Sequence, residues 1–177
     1  MTASLEIKDI LEKTYKNVFE LLKLGEAKNT TLIVINFVII IGFAVLLKDV
    51  NLIILKYYFV YIMAMCAISA CIGFASLKEK LKRKKNEISL TESDDVLFFE
   101  TIAYLTEFAL VEKIKYLYEL ESINANYEYD LARQLVITSQ IVVRKFHLFN
   151  LALKLMLFGL LTPVSIIIYY MVLRNHE

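Results

Sequence analysis

Glycine and proline are scarce in this chain: four glycines (25, 42, 73 and 159) and the single proline Pro163 among 177 residues. An all-β protein or a glycine-rich nucleotide fold needs more turn residues than that. The only histidines are His147 and His176, too few to build a zinc cluster, so no metal is expected. The two cysteines, Cys66 and Cys71, lie five apart inside an apolar run. On a helix that spacing gives them no common face, and two buried structural thiols are expected in place of a disulfide or a metal site. Neither sign of charge is in excess: 20 Lys+Arg stand against 19 Asp+Glu, for a net +1. A nucleic-acid binder would need a basic surplus on one face, so nucleic acid is not an expected partner. What is abundant is apolar residues, at 58% of the chain with a mean hydropathy of +0.57. That excludes disorder and is unusual for an ordinary soluble domain. The class that remains is an all-α integral membrane protein.

The apolar residues are distributed in runs. Residues 30–47 carry no charge and reach about 27 Å as a helix, enough to cross a bilayer core. Lys48, Asp49, Val50 and Asn51 make a short polar turn. Residues 52–77 form a second run with one charge, Lys56, near its start, where it can snorkel. Residues 30–77 therefore read as a transmembrane hairpin. Residues 151–173 are a third run, with Lys154 near its start and Thr162-Pro163 near its middle. Proline lacks a backbone donor and clashes with the preceding turn, so Pro163 is a candidate hinge. The expectation is three transmembrane helices, a hairpin plus a C-terminal span.

Charge then sets the orientation. Lys78, Lys80, Lys82, Arg83, Lys84 and Lys85 form a basic linker over 78–85, and residues 1–29 carry five lysines against one in the 48–51 turn. Positive residues favour the cytoplasmic side. The N-terminus and residues 78–150 are thus expected in the cytoplasm, and the C-terminus outside. Residues 1–29 are periodic at Ile7, Leu11, Tyr15, Val18 and Leu22, with Glu12 and Lys16 at i,i+4, and Ser4 is an N-cap candidate. This reads as an amphipathic cytoplasmic helix and not as a secretory signal. Residues 78–150 read as a small cytoplasmic helical domain. Ser89 with Glu92 matches a capping box, Ser93 is another start, and residues 96–105 suggest a short helix. Thr106 should cap a second, carrying Leu110, Ile114, Leu117 and Leu120 or Glu121 on adjacent faces. Asn124, Ala125 and Asn126 read as a turn, and from Tyr127 no breaker occurs before Gly159.

No catalytic constellation is present. Residues 78–150 contain no glycine, so neither a P-loop nor a dinucleotide fingerprint fits there. G-x-S-x-G, H-E-x-x-H and C-x-x-C are all missing. No enzymatic activity and no cofactor are expected. Arg133, Gln140, Arg144 and His147 share one face of the last helix. They read either as an anion site for a nucleotide phosphate or an acidic lipid headgroup, or as a solvated stripe meeting Glu112, Glu119 or Glu121, and the solvated stripe is the commoner arrangement. Tyr116, Tyr118, Tyr127 and Tyr129 could stack on a base or fill a core, whereas Phe98 and Phe99 read as core. Ala67, Cys71 and Ala75 recur every fourth residue of the second run, with Ser69 and Gly73 alongside. Small residues at that spacing let helices approach, within one chain or in a homo-oligomer. Asn36 inside the first run reads as interhelical glue or as a pore-lining group.

Three stretches carry a resemblance. They are Glu26-Ala27-Lys28-Asn29 with Asn36, then Val96-Leu97-Phe98-Phe99-Glu100-Thr101-Ile102-Ala103, and then Leu131-Ala132-Arg133-Gln134 followed by Arg144-Lys145-Phe146. In their order, spacing and span layout the chain resembles the transmembrane effector family of Pycsar antiphage systems, from about Gly25 to Met171. The resemblance implies a trigger, cyclic CMP or cyclic UMP made by a partner cyclase on infection. It also implies a response, loss of inner-membrane integrity that ends growth before phage matures. A β-roll nucleotide domain cannot occupy the glycine-free stretch, so any nucleotide site is helical or lies between protomers. An anion on Arg133 and Arg144 would shift the last helix, with Pro163 transmitting the movement and Ala67, Cys71, Gly73 and Ala75 guiding assembly. The alternative reading is a non-enzymatic membrane anchor or adaptor whose cytoplasmic helices bind a protein partner.

Overall fold

A computed structural model describes residues 6–78, 97–121 and 125–174, with side chains described as far as Thr162. Five helices follow one another: α1 (Ile7–Asp49), α2 (Ile53–Leu77), α3 (Phe99–Tyr104), α4 (Glu107–Tyr118) and α5 (Ala125–Arg174). No strand occurs among the described residues. The chain divides into two compact units, one of Met1–Gly25 with Glu79–Phe146 and one of Glu26–Lys78 with His147–Glu177. The starts expected at Ser4, Ser89 and Ser93, the turn residue Asn124 and the basic linker beyond Lys78 lie outside the described residues.

The first unit is built around an aliphatic core. Ile7, Leu11 and Val18 of α1 are buried at alternating steps of four and seven, the stripe that their spacing predicts. Thr14 is buried between them because its Oγ1 donates to the Ile10 carbonyl at 2.8 Å, which satisfies the hydroxyl locally. These residues pack with Ile102, Leu105, Leu110, Val111 and Ile114, and with Leu131, Leu135 and Val142 of α5. Each such side chain taken from water contributes about 1.5–3 kcal/mol. The helix ends are set by local chemistry. Thr106 accepts a hydrogen bond from the Ala109 N–H at 3.2 Å and starts α4, as its sequence position predicts. Glu119, at φ 51 and ψ 43, ends α4 in the left-handed region, and the Leu120 N–H closes onto the Lys115 carbonyl at 3.2 Å.

Four expectations for this unit need correction. α5 already begins at Ala125, so Ala125 and Asn126, expected in a turn, form its first helical residues. The short helix begins at Phe99, and Phe98 is its exposed N-cap and not a core residue. Leu117 is also exposed, because burial on α4 follows Leu110, Val111 and Ile114 and the next turn rotates away. Glu12 finds its cation one turn earlier, Lys8 at 3.9 Å, in place of Lys16.

The second unit contains α2, the C-terminal part of α1 and the C-terminal part of α5. α1 runs as one helix through residue 29, where the amphipathic segment was expected to give way to the hairpin. Glu26, Ala27 and Lys28 are good helix formers, and Gly25 alone does not outweigh them. The chain turns at residues 50–52 and returns as α2. Contacts fix an antiparallel hairpin: Phe43 against Phe59, Asn36 against Ser69, and Ile33 against Gly73. α1 and α2 are both long and apolar enough to cross a membrane. α5 runs as helix through residues 151–173, the third expected span, and passes Pro163 without ending.

Candidate functional site

The interior of the second unit holds a chain of hydrogen bonds. Asn36 of α1 is 0% exposed, and its Nδ2 donates to the Leu32 carbonyl at 2.9 Å and to Ser69 Oγ of α2 at 3.0 Å. Ser69, also 0% exposed, donates in turn to the Ala152 carbonyl of α5 at 2.8 Å. One amide and one hydroxyl thus tie three helices together. A helix whose backbone is saturated offers few polar handles inside an apolar environment, so side-chain bonds of this kind specify which helix meets which. Leu32, Ile62, Cys66, Ala152 and Met156 pack around this chain.

Close approach on both sides of α2 depends on glycine. A Cβ at Gly73 would stand 2.8 Å from Ile33 Cγ1, and one at Gly159 would stand 2.6 Å from Met65 Cβ. Both distances are inside van der Waals contact, so only glycine fits. Of the small residues singled out on α2, Ser69 and Gly73 lie in this interior, whereas Ala67, Cys71 and Ala75 lie on the exposed face. The buried stripe of α2 is Ile62, Cys66, Ser69, Ala70, Gly73 and Ser76. The expectation of two buried thiols is therefore half right: Cys66 is buried and Cys71 exposed.

The arginine stripe of α5 is not a continuous charged face. Arg133 is exposed, Arg144 is half-buried, and both belong to the first unit; exposed His147 belongs to the second. Gln140 has a defined structural partner. Its Nε2 donates to the Ala103 carbonyl at 3.0 Å, meeting an acceptor that the end of α3 leaves open. The sequence reading missed two buried charges on the opposite face, Glu128 and Lys145, each 3% exposed. Both fall in phase with Ala132, Leu135 and Val142, and that phase was the signal that could have found them.

The tyrosines divide in two. Tyr116 and Tyr118 are exposed, the former at 79%. Tyr127 donates to Glu12 Oε1 of α1 at 3.1 Å and Tyr129 to Glu112 Oε1 of α4 at 3.3 Å. Lys8 and Lys115 lie 5.9 Å from the respective ring centroids. The first turns of α5 are thus pinned to two different helices by the same triplet of phenol, carboxylate and amine. Lys115, hydrogen-bonded to Glu112 at 2.8 Å, holds that carboxyl below the usual carboxylate range, and the same bond raises the Lys115 amine.

No group of His, Cys, Asp and Glu able to hold a metal occurs among the described residues. No curated protein and no solved structure matches the chain. The family model of the Pycsar effector protein domain matches residues 10–172. That span includes most of both units, nearly all of α1 and all of α2. Membership implies an antiphage-defence effector located in the membrane and linked to a cyclic-nucleotide signal from a partner cyclase. By the extent of that match, the chain belongs to the Pycsar effector family.

Proposed function

We propose that this chain is a three-span inner-membrane effector that cyclic CMP or cyclic UMP triggers and that then breaks the membrane barrier. The observation that carries the reading is the family match over residues 10–172. In this reading the N-terminus and residues 78–150 face the cytoplasm, and the active form is a homo-oligomer. The protein acts without chemistry of its own: it binds a nucleotide and changes conformation. The nucleotide phosphate is held by Arg133 and Arg144, whose guanidinium forks match phosphate oxygens. Binding displaces α5, the helix that also carries Ala152. A ligand moves such an equilibrium only by its difference in affinity between the two states.

The anchor reading would use the Asn36–Ser69–Ala152 chain only to hold the spans together, so the two readings part on activity. The test is dye release from liposomes holding the purified protein, with and without micromolar cyclic CMP or cyclic UMP. Release with one nucleotide alone supports the reading and names the signal. Arg133→Ala with Arg144→Ala should abolish that release while the protein stays inserted. Release unchanged by the double substitution removes both arginines from the site. Absence of release with either nucleotide, from folded and inserted protein, favours the anchor.

A further inference from the structure

We propose that in the active state water and ions cross the membrane through the seam enclosed by α1, α2 and α5 of a single chain. The path would follow the stripe Tyr58, Ile62, Cys66, Ser69, Gly73 and Ser76, not the outer face that carries Ala67, Cys71 and Ala75. This rests on the reading of the chain as a three-span effector.

The positions advance along α2 by steps of four, four, three, four and three, so they form one line on the helix. From Tyr58 to Ser76 the rise is about 27 Å, close to the thickness of a hydrocarbon core. Three oxygens spread along that length are buried and find no hydrogen-bond partner among the described residues: Tyr58 OH, Asn36 Oδ1 and Ser76 Oγ. Asn36 uses its amide hydrogens on Leu32 and Ser69 and leaves its carbonyl oxygen over. Leaving a buried polar atom unmet is unfavourable, and water entering the seam would meet all three. Polar groups at this depth face protein or an aqueous cavity, not lipid.

The seam is closed in the structure by apolar side chains. Ile62 and Cys66 lie between the levels of Tyr58 and Ser69 on α2, in one buried cluster with Leu32, Ala152 and Met156. An apolar constriction between polar levels excludes water until the helices part. The hydroxyl of Ser69 holds them together, since it accepts from α1 and donates to α5. The outer face has no comparable group: Ala67 and Ala75 have no polar side-chain atom, and Ile68 and Phe74 flank them, exposed.

The two native cysteines report on the two faces. Cys66 lies in the seam and Cys71 on the outside. The test uses full-length protein in liposomes and a membrane-impermeant methanethiosulfonate reagent, in single-cysteine chains made with Cys71→Ala or Cys66→Ala. Methanethiosulfonates react with the thiolate, which forms only in contact with water. Cys66 should label about tenfold faster with the releasing nucleotide than without it, and Cys71 should stay protected. Ser69→Ala is a second arm that needs no nucleotide. It should raise Cys66 labelling about eightfold, the population shift carried by the two average interhelical hydrogen bonds that Ser69 makes. Cys66 that stays protected in vesicles that leak overturns the seam and leaves the effector reading intact. Vesicles that never leak count against the effector reading, and the Ser69→Ala arm then decides the seam alone: unchanged Cys66 overturns it. Equal labelling of both cysteines also overturns it, because a general lesion or loss of fold does not distinguish the faces.

Discussion

The two units of this chain share the helices α1 and α5 and differ in which residues they hide. In the first, Leu11, Leu110, Val111 and Ile114 are fully buried, and ion pairs such as Lys115 with Glu112 lie at the surface. In the second, Asn36, Ser69 and Gly73 are inside, and Val38, Ile41, Ile54, Phe158 and Leu161 are exposed. The difference teaches what solvent each unit is built for. Water rewards the removal of aliphatic surface, so the first unit gains by hiding leucine and isoleucine. A lipid tail is as apolar as leucine and gives no such reward, so the second unit is held by close fit and by polar bonds.

The comparison breaks first at a large core side chain. Ile114→Ala in the first unit should cost about 2–5 kcal/mol, and thermal unfolding followed by circular dichroism in detergent would read it. Loss of fold confined to the second unit would contradict the assignment of this core to water-driven burial.

Next comes close fit. Gly159→Ala places a Cβ 2.6 Å from Met65 Cβ and should destabilise the second unit by about 1–3 kcal/mol. Gly42→Ala meets nothing within 4 Å and should stabilise α1 by about 0.5–1 kcal/mol through helix propensity alone. Equal effects at the two glycines would mean that fit does not hold the unit together.

Smaller effects separate polar bonds in the two settings. Thr106→Ala removes the cap of α4 and should cost about 1 kcal/mol. Asn36→Leu removes the bond to Ser69 and should cost about 0.6 kcal/mol, on the same thermal assay.

The smallest effect is pH-dependent. Glu112 titrates below its ordinary range in the folded chain, so its pairing stabilises the fold above the unfolded carboxylate pKa. That contribution is lost as pH falls through the folded pKa. Lys115 titrates above its ordinary range, so its share is full below the unfolded amine pKa and lost as pH rises through the folded value. Carboxyl chemical shifts titrated in the intact chain and in Lys115→Met would show it, with Glu112 returning to an ordinary value in the variant.

What could be read from the sequence followed the same division. The hairpin, the Thr106 cap, the breaker-free helix after Tyr127 and the buried stripe of α1 were all visible, because each rests on charge, capping or a polar–apolar period. The rotation of α2 was not. Nearly all its residues are apolar, so no period distinguishes the face at Cys66 and Gly73 from the face at Cys71 and Ala75. The family resemblance pointed to Asn36, but its partners Ser69 and Ala152 come from helices far along the chain. Phe98 and Leu117 misled for another reason, since a short helix ends before its period can settle which side is inward.

The Asn36–Ser69–Ala152 chain also imposes an order on biogenesis. Its links close over sequence separations of 33 and then 83 residues. During synthesis Asn36 emerges with neither partner made, acquires Ser69 when α2 follows, and the triad is completed only when α5 arrives. A ribosome-bound chain that stops before residue 152 therefore holds a hairpin whose serine hydroxyl still lacks its acceptor. α5 supplies it, so the membrane unit reaches its closed form only after residue 152 has been made.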